Sequence, residues 1–205
     1  MLGPLRSLAH ILVSRPIVYD AVQRLAGSRA CYSRLSRLLP NLEHKYVLDA
    51  GGGTGRSLAI LDRAAGYVAV DIDTKKLAQL RTQRVDAAAV GGDIASLAIA
   101  SGGVDIGLLV FVCHHLDDEK LGAALRELAR VCADRVLIMD ALWMPRRWRS
   151  RLLWRYDDGK YPRTSDSLRL AIDKDFIVED EARFSVHHAY HIWRCRPRRQ
   201  VRQSR

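Results

Sequence analysis

The stretch YVLDAGGGTGRSLAI, Tyr46 to Ile60, puts four glycines into the five positions Gly51 to Gly55, between an apolar run and a helical pattern. Glycine after a strand permits a tight turn and lets a ligand lie against the backbone, and a helix that follows presents free N–H groups and a partial positive charge. Two carboxylates are spaced to serve the same ligand. Asp71 ends the second apolar run, 20 residues after Gly51, where a carboxylate reaches ribose hydroxyls. Asp93 follows a third run, where its loop reaches the edge of a nucleotide base. His114 and His115 come after the most apolar run of the chain, and an imidazole there can take a proton from a bound acceptor. Each feature also has a plain reading: a flexible turn for the glycines, and for the histidines a hydrogen-bonded loop with Asp117 capping the next helix. Three loops in sequence order, each bearing a suitable group, favour a nucleotide-type cofactor.

These groups need a scaffold that brings loop ends together. Helical patterns cover residues 3–14, 17–26 (closed by Gly27) and 29–39 (closed by Pro40). From Lys45 strands and helices alternate. KYVLDA is a strand, RSLAILDRA (56–64) a helix, YVAVD a strand, TKKLAQLRTQ a helix, and AAAV a weak strand. VDIGLLVFV is apolar on both faces, as a buried parallel strand is. Leu121, Leu125, Leu128 and Cys132 then place one apolar stripe on a helix, and RVLIMD is a fifth strand. Past Asp140 a Trp/Arg-rich segment leads to a helix of about 166–174 and two strands, about 176–185 and 188–195, the last antiparallel. The expected fold is α/β, a seven-stranded and mostly parallel sheet with an antiparallel last strand and helices on both faces. The expected organisation is a helical cap over 1–40, one ligand-binding domain over 41–197, and a basic tail over 198–205.

The glycine spacing narrows the ligand. A dinucleotide fingerprint wants a third small residue three positions after the second glycine, and counting from Gly51 and Gly53 puts Arg56 there. The spacing is instead Gly51-x-Gly53-x-Gly55, with Asp49 two residues ahead of the first glycine. With VLDAGGGTGR, VAVDID, GGDIASL and FVCHHLDDEKL in this order, the chain resembles the class I S-adenosylmethionine (SAM) methyltransferases over about residues 16–197. The resemblance implies a Rossmann-like fold and Gly51, Gly53 and Gly55 around the methionine part of SAM, with Asp49 nearby. It implies Asp71 on the ribose with Ile72 against the adenine, Asp93 and Ile94 at the adenine edge, and Phe111 in the same cofactor-binding set. Gly52 stands where the family has a cysteine, and VCADRVL lacks a Pro-Gly-Gly before strand five. RPIVYDAVQRLAG and DDGKYPRT look like a bacterial subgroup of small methyltransferases whose substrate the resemblance does not carry. SAM arrives with its methyl group activated, so a base is needed only for an acceptor that arrives protonated. His115, ahead of His114, is the candidate catalytic residue.

Composition bounds the partners. The formal charge is +10, but eleven of the 33 basic residues lie in 146–155 and 194–205, and the remaining 22 face 23 acids. The excess is local, which argues against a general nucleic-acid surface. RNA methylation and a non-catalytic SAM-binding regulator are the alternatives to a methyltransferase acting on a small, lipophilic molecule. In ALWMPRRWRSRLLWRY, Trp143, Trp148 and Trp154 among arginines suit a helix lying on an anionic membrane or closing over a lipophilic substrate. The plain alternative is a cover helix that packs its tryptophans inward. His187, His188 and His191 alternate across a strand, a poor geometry for one ion, so no metal is expected. Arg163 and Thr164 read equally as contacts to an acidic substrate group or as a turn arginine and a helix cap. Four scattered cysteines, Cys31, Cys113, Cys132 and Cys195, argue for a reducing, cytoplasmic setting and against zinc. The opening MLGPLRSLAHILVSRP, broken by Arg6 and His10, reads as a short amphipathic helix rather than a signal peptide.

Overall fold

In the computed structural model, residues 27–83, 87–144, 146–156, 159–186 and 188–198 are described. The helices expected over 3–14 and 17–26 lie outside these residues. Seven strands form one sheet: β1 (Tyr46–Ala50), β2 (Gly66–Asp71), β3 (Ala88–Gly91), β4 (Val104–Val110), β5 (Cys132–Leu142), β6 (Phe176–Ser185) and β7 (Ala189–Pro197). Their order is β3-β2-β1-β4-β5-β7-β6; β7 runs antiparallel to both neighbours and all other pairings are parallel. Among the described residues the helices are α1 (Ser28–Leu35), α2 (Thr74–Gln83), α3 (Asp118–Val131), α4 (Trp148–Tyr156) and α5 (Ser165–Asp175).

Strand alternation sorts the core into two layers. Leu48 and Ala50 of β1 point to the side where Leu121, Leu125 and Leu128 of α3 and Leu168 and Ile172 of α5 pack. Val47 points the other way, to a layer holding Cys31 and Leu35 of α1 and Leu77 and Leu80 of α2. β4 contributes to both layers and is almost wholly buried, as its unbroken apolar run requires. Two helix starts follow their caps. The Asp117 carboxylate accepts from the Lys120 N–H at 2.8 Å, and the Thr164 hydroxyl accepts from the Ser167 N–H at 3.2 Å.

Three boundaries differ from expectation. The helix expected over 56–64 is a single 3-10 turn, Arg56–Ile60. Gly55 enters it in the left-handed conformation, the Ser57 hydroxyl donates to the buried Asp49 carboxylate, and Leu61 leaves the helical region at φ −121. Five residues then carry the chain to β2, too few for both a longer helix and the return turn. The positive end of a full helix is therefore not part of the glycine loop, because a 3-10 turn this short aligns few peptide dipoles. Cys132, expected on the helical stripe, is the first residue of β5, and α1 stops at Leu35, short of Leu39.

Candidate functional site

A cavity of about 460 Å³ opens at the carboxyl ends of β1 to β4. It lies where β1 is flanked by β2 on one side and β4 on the other, the point of an open α/β sheet at which chain direction diverges and ligands bind. The glycine loop forms its floor. Gly51, Gly53 and Gly55 all have positive φ, 75, 52 and 81. A Cβ on Gly51 would sit 2.4 Å from Val112 Cγ2, so this glycine is required by packing against the β4 loop. A Cβ on Gly53 would have nothing nearer than 3.7 Å, so Gly53 keeps open a space that a ligand can use. Gly55 turns away from the cavity, toward Leu80 of α2.

The acids divide between two tasks. Asp71 lines the cavity; its Oδ2 accepts from the Gly53 N–H at 2.8 Å and its Oδ1 from the Asp73 N–H at 2.8 Å. One carboxylate thus fixes the glycine loop and keeps lone pairs at the rim. Ile72 beside it is 81% exposed, and Asp93 and Ile94 complete that end of the cavity. Asp49 does not line the cavity. β1 alternation turns it under the loop, where it is 3% exposed and accepts hydrogen bonds from the Ser57 and Tyr67 hydroxyls. Burial pushes its carboxyl up from the ordinary range, and the two hydroxyls oppose that shift. Asp49 and Gly55 therefore support the loop from outside the cavity that Gly51, Gly53, Asp71, Ile72, Asp93, Ile94 and Phe111 line.

The other end is built by the loop after β4. Phe111 has a left-handed backbone at φ 59, sparsely populated for an aromatic residue. Its N–H bonds Met139 O at 2.9 Å, and its ring meets Tyr32 and Tyr190 edge-on at 6.2 and 5.8 Å. That backbone reversal sends Val112, His115 and Leu116 into the cavity wall. The two adjacent histidines part company here. His115 lines the cavity, whereas His114 lies behind it, 5% exposed, its ring 4.1 Å from that of His115. His114 Nδ1 lies 2.5 Å from Asp140 Oδ1, and its backbone N–H donates to Asp140 Oδ2 at 3.0 Å. A carboxylate can only accept, so Nδ1 carries the proton of this pair.

Sequence reasoning missed Asp140, and also Tyr32, Arg56 and Lys76 on the cavity wall. The signal for Asp140 was its position at the end of RVLIMD, level with the end of β4. Val110 pairs with Met139, which sets Asp140 beside the turn that holds His114. The remaining candidates lie elsewhere. Arg163 donates to Cys113 O and to Asp118 Oδ1, both at 2.6 Å, and so clamps the β4 loop, while Thr164 is the cap of α5. His187 lies outside the described residues. His188 packs on Trp154 and Tyr190, and His191 on Ser165 and Trp193. No group of three potential metal ligands occurs among the described residues. No described helix is long and apolar enough to cross a membrane.

Comparison with known proteins agrees with this geometry. Residues 47–135, from β1 to the start of β5, match the methyltransferase domain family. No curated protein matches the sequence. A SAM-dependent methyltransferase from Methanosarcina mazei superposes with a TM-score of 0.68 at 14% identity, over 80% of this chain and 96% of that one. Geranyl diphosphate C-methyltransferase from Streptomyces coelicolor A3(2), solved with Mg2+, geranyl-S-thiolodiphosphate and S-adenosyl-L-homocysteine, gives 0.68 at 11% identity, over 82% and 75%. Mitomycin 7-O-methyltransferase gives 0.69 at 20% identity, over 94% of this chain and 60% of that one. At these identities the likeness is one of fold, a seven-stranded sheet with helices.

Proposed function

We propose that this chain, whose residues 47–135 match the methyltransferase domain family, binds SAM as a class I methyltransferase and transfers its methyl group to a small, lipophilic molecule held at the His115 end of the cavity. One observation carries this reading: a single cavity joins the Asp71, Ile72 and Asp93 wall to the wall of Phe111, His115 and Leu116.

The residues present fit the cofactor. The volume is that of a small-ligand pocket, and one end combines a rim carboxylate with an exposed apolar side chain, as a ribose beside a flat base requires. Asp71 would accept from the ribose hydroxyls, Ile72 and Ile94 would sandwich the adenine, and Asp93 would meet its amino edge. Arg56, whose Nη1 donates to Ser28 at 2.8 Å, is the cation nearest in sequence to the glycine floor and would face the cofactor's carboxylate. When bound, SAM supplies an electrophilic methyl group on a sulfonium.

The chain's own work is then positioning and proton management. Gly53 leaves the backbone bare on the cofactor side. Phe111, Val112 and Leu116 exclude water from the acceptor side. His115 is placed to accept a proton from a hydroxyl or carbon-acid acceptor, and Asp140 fixes the His114 ring against which His115 rests. The test is a coupled one. Calorimetry should show SAM binding to the full chain and to His115→Ala alike. Production of S-adenosylhomocysteine, screened across lipid-soluble phenols, quinols and prenyl compounds, should fall at least tenfold in His115→Ala. Turnover on structured RNA but on no small molecule would overturn the acceptor assignment.

A further inference from the structure

Past β5 the chain makes an excursion that leaves at Trp143 and returns at Arg163, and its base is tied to the loop that carries His115. The Trp143 N–H donates to Arg163 O at 2.8 Å, the Tyr161 N–H to His114 O at 3.0 Å, and the Arg163 guanidinium to Cys113 O at 2.6 Å. Helix α4 lies within this excursion. Arg151 and Arg155 are exposed, whereas Ser150 and Trp154, four residues apart and so on one face, are 1% and 8% exposed. The Trp154 ring stands edge-on to His114 at 5.4 Å, and the His114 ring lies 4.1 Å from that of His115, which lines the cavity. Trp154 also meets His188 at 5.4 Å and Trp143 at 6.3 Å. The inner face of α4 is thus the roof over the loop Cys113–His115.

Two polar atoms of that face are left over by the fold. Ser150 Oγ and Trp154 Nε1 are buried without a hydrogen-bond partner among the described residues. A buried donor that has given up water and found no acceptor lowers stability, and native folds hold few of them. Ser150 is the more telling of the two, because alanine would fit the same space, favour the helix and bury no polar atom. An indole N–H can only donate and a hydroxyl can donate, so the pair suits an oxygen that accepts. The ring neighbours of Trp154 are all aromatic, and a neutral carbonyl fits such surroundings better than a carboxylate.

We propose that Ser150 and Trp154 form a carbonyl-binding subsite for the methyl acceptor, which is then a lipophilic hydroxyl compound carrying a second, carbonyl oxygen. The assignment rests on the small-molecule reading above and narrows it. The matched probes are para-hydroxyacetophenone and para-ethylphenol, which share a ring and a hydroxyl and differ in the carbonyl oxygen. The first readout is the indole N–H resonance of Trp154 in the full chain with S-adenosylhomocysteine, identified by its loss in Trp154→Phe. Para-hydroxyacetophenone should move that resonance downfield and para-ethylphenol should not. The resonance of Trp193, a second buried indole without a partner among the described residues, should stay in place as the control. The second readout is kcat/KM for S-adenosylhomocysteine production. The parent should prefer para-hydroxyacetophenone by about tenfold, the worth of one good hydrogen bond, and both Ser150→Ala and Trp154→Phe should lose that preference. Unchanged SAM affinity by calorimetry shows that the variants fold, and Ser150→Ala should melt no lower than the parent. A Trp154 resonance that neither probe moves, or a preference kept by both variants, would overturn the subsite. So would a lower melting temperature for Ser150→Ala, since the hydroxyl would then have a standing partner such as a buried water. A shifted Trp154 resonance with no S-adenosylhomocysteine from either probe would support the subsite and overturn the transfer reading instead.

Discussion

At the scale of single residues, Asp71 holds the glycine loop through the Gly53 N–H and presents its carboxylate at the cavity rim. Asp71→Ala removes the acceptor proposed for the ribose hydroxyls and frees the Gly53 N–H, and a charge-assisted hydrogen bond is worth about 1.5–3 kcal/mol. SAM affinity should fall by about one to two orders of magnitude in calorimetry, and an unchanged dissociation constant would remove Asp71 from the site. The glycines resolve the rest. Gly51→Ala drives a methyl group into Val112 at 2.4 Å and should lower the melting temperature strongly. Gly53→Ala meets nothing nearer than 3.7 Å and bears only the strain of its positive φ. It should melt within a few degrees of the parent yet lose SAM binding. If both variants melt alike, Gly53 is a packing glycine and not the bare backbone the cofactor needs.

At the scale of elements, the 3-10 turn Arg56–Ile60 is a seam between the glycine loop and the sheet. Ser57 and Tyr67 both donate to Asp49, a carboxylate that burial disfavours in its charged form. Ser57→Ala leaves that carboxylate with a single hydroxyl donor, at a cost of about 1–3 kcal/mol. For a chain of this size, 1 kcal/mol shifts melting by about 2–4 °C, so the variant should melt several degrees lower. Ser57→Thr, which keeps the hydroxyl, should recover most of the loss. Equal melting of Ser57→Ala and the parent would mean that water replaces the hydroxyl at Asp49.

For the molecule as a whole, acid sensitivity should trace to the β6–β7 edge. His191 is buried between Ser165 and Glu181, and burial, reinforced by Arg183 and Arg169 and opposed by Glu181, holds it down to about 4. The folded state keeps His191 neutral while the unfolded chain binds a proton near pH 6.5, so stability is complete above that value and declines as pH falls toward 4. The decline has an upper slope of about 1.4 kcal/mol per pH unit. Melting measured from about pH 7 to about pH 5 should fall for the parent and less steeply for His191→Gln. Parallel slopes would place the acid-labile group elsewhere.

The sequence determined what is local. Short apolar runs, glycines that demand positive φ, and caps such as Asp117 and Thr164 act over a few residues, and they located every described strand and the loops that line the cavity. Register and facing belong to the tertiary structure. That His115 and not His114 lines the cavity follows from the reversal at Phe111, which is held by Met139 and by two distant tyrosines. That His114 meets Asp140 follows from β4 pairing beside β5, a contact spanning 26 residues. The 3-10 turn arose where a helical pattern lost to a buried carboxylate that required the Ser57 hydroxyl. The tryptophans of α4 read alike in the sequence, yet Trp154 packs inward and Trp148 faces out, because helical spacing sets their relative angle while only the packed sheet decides which side is covered.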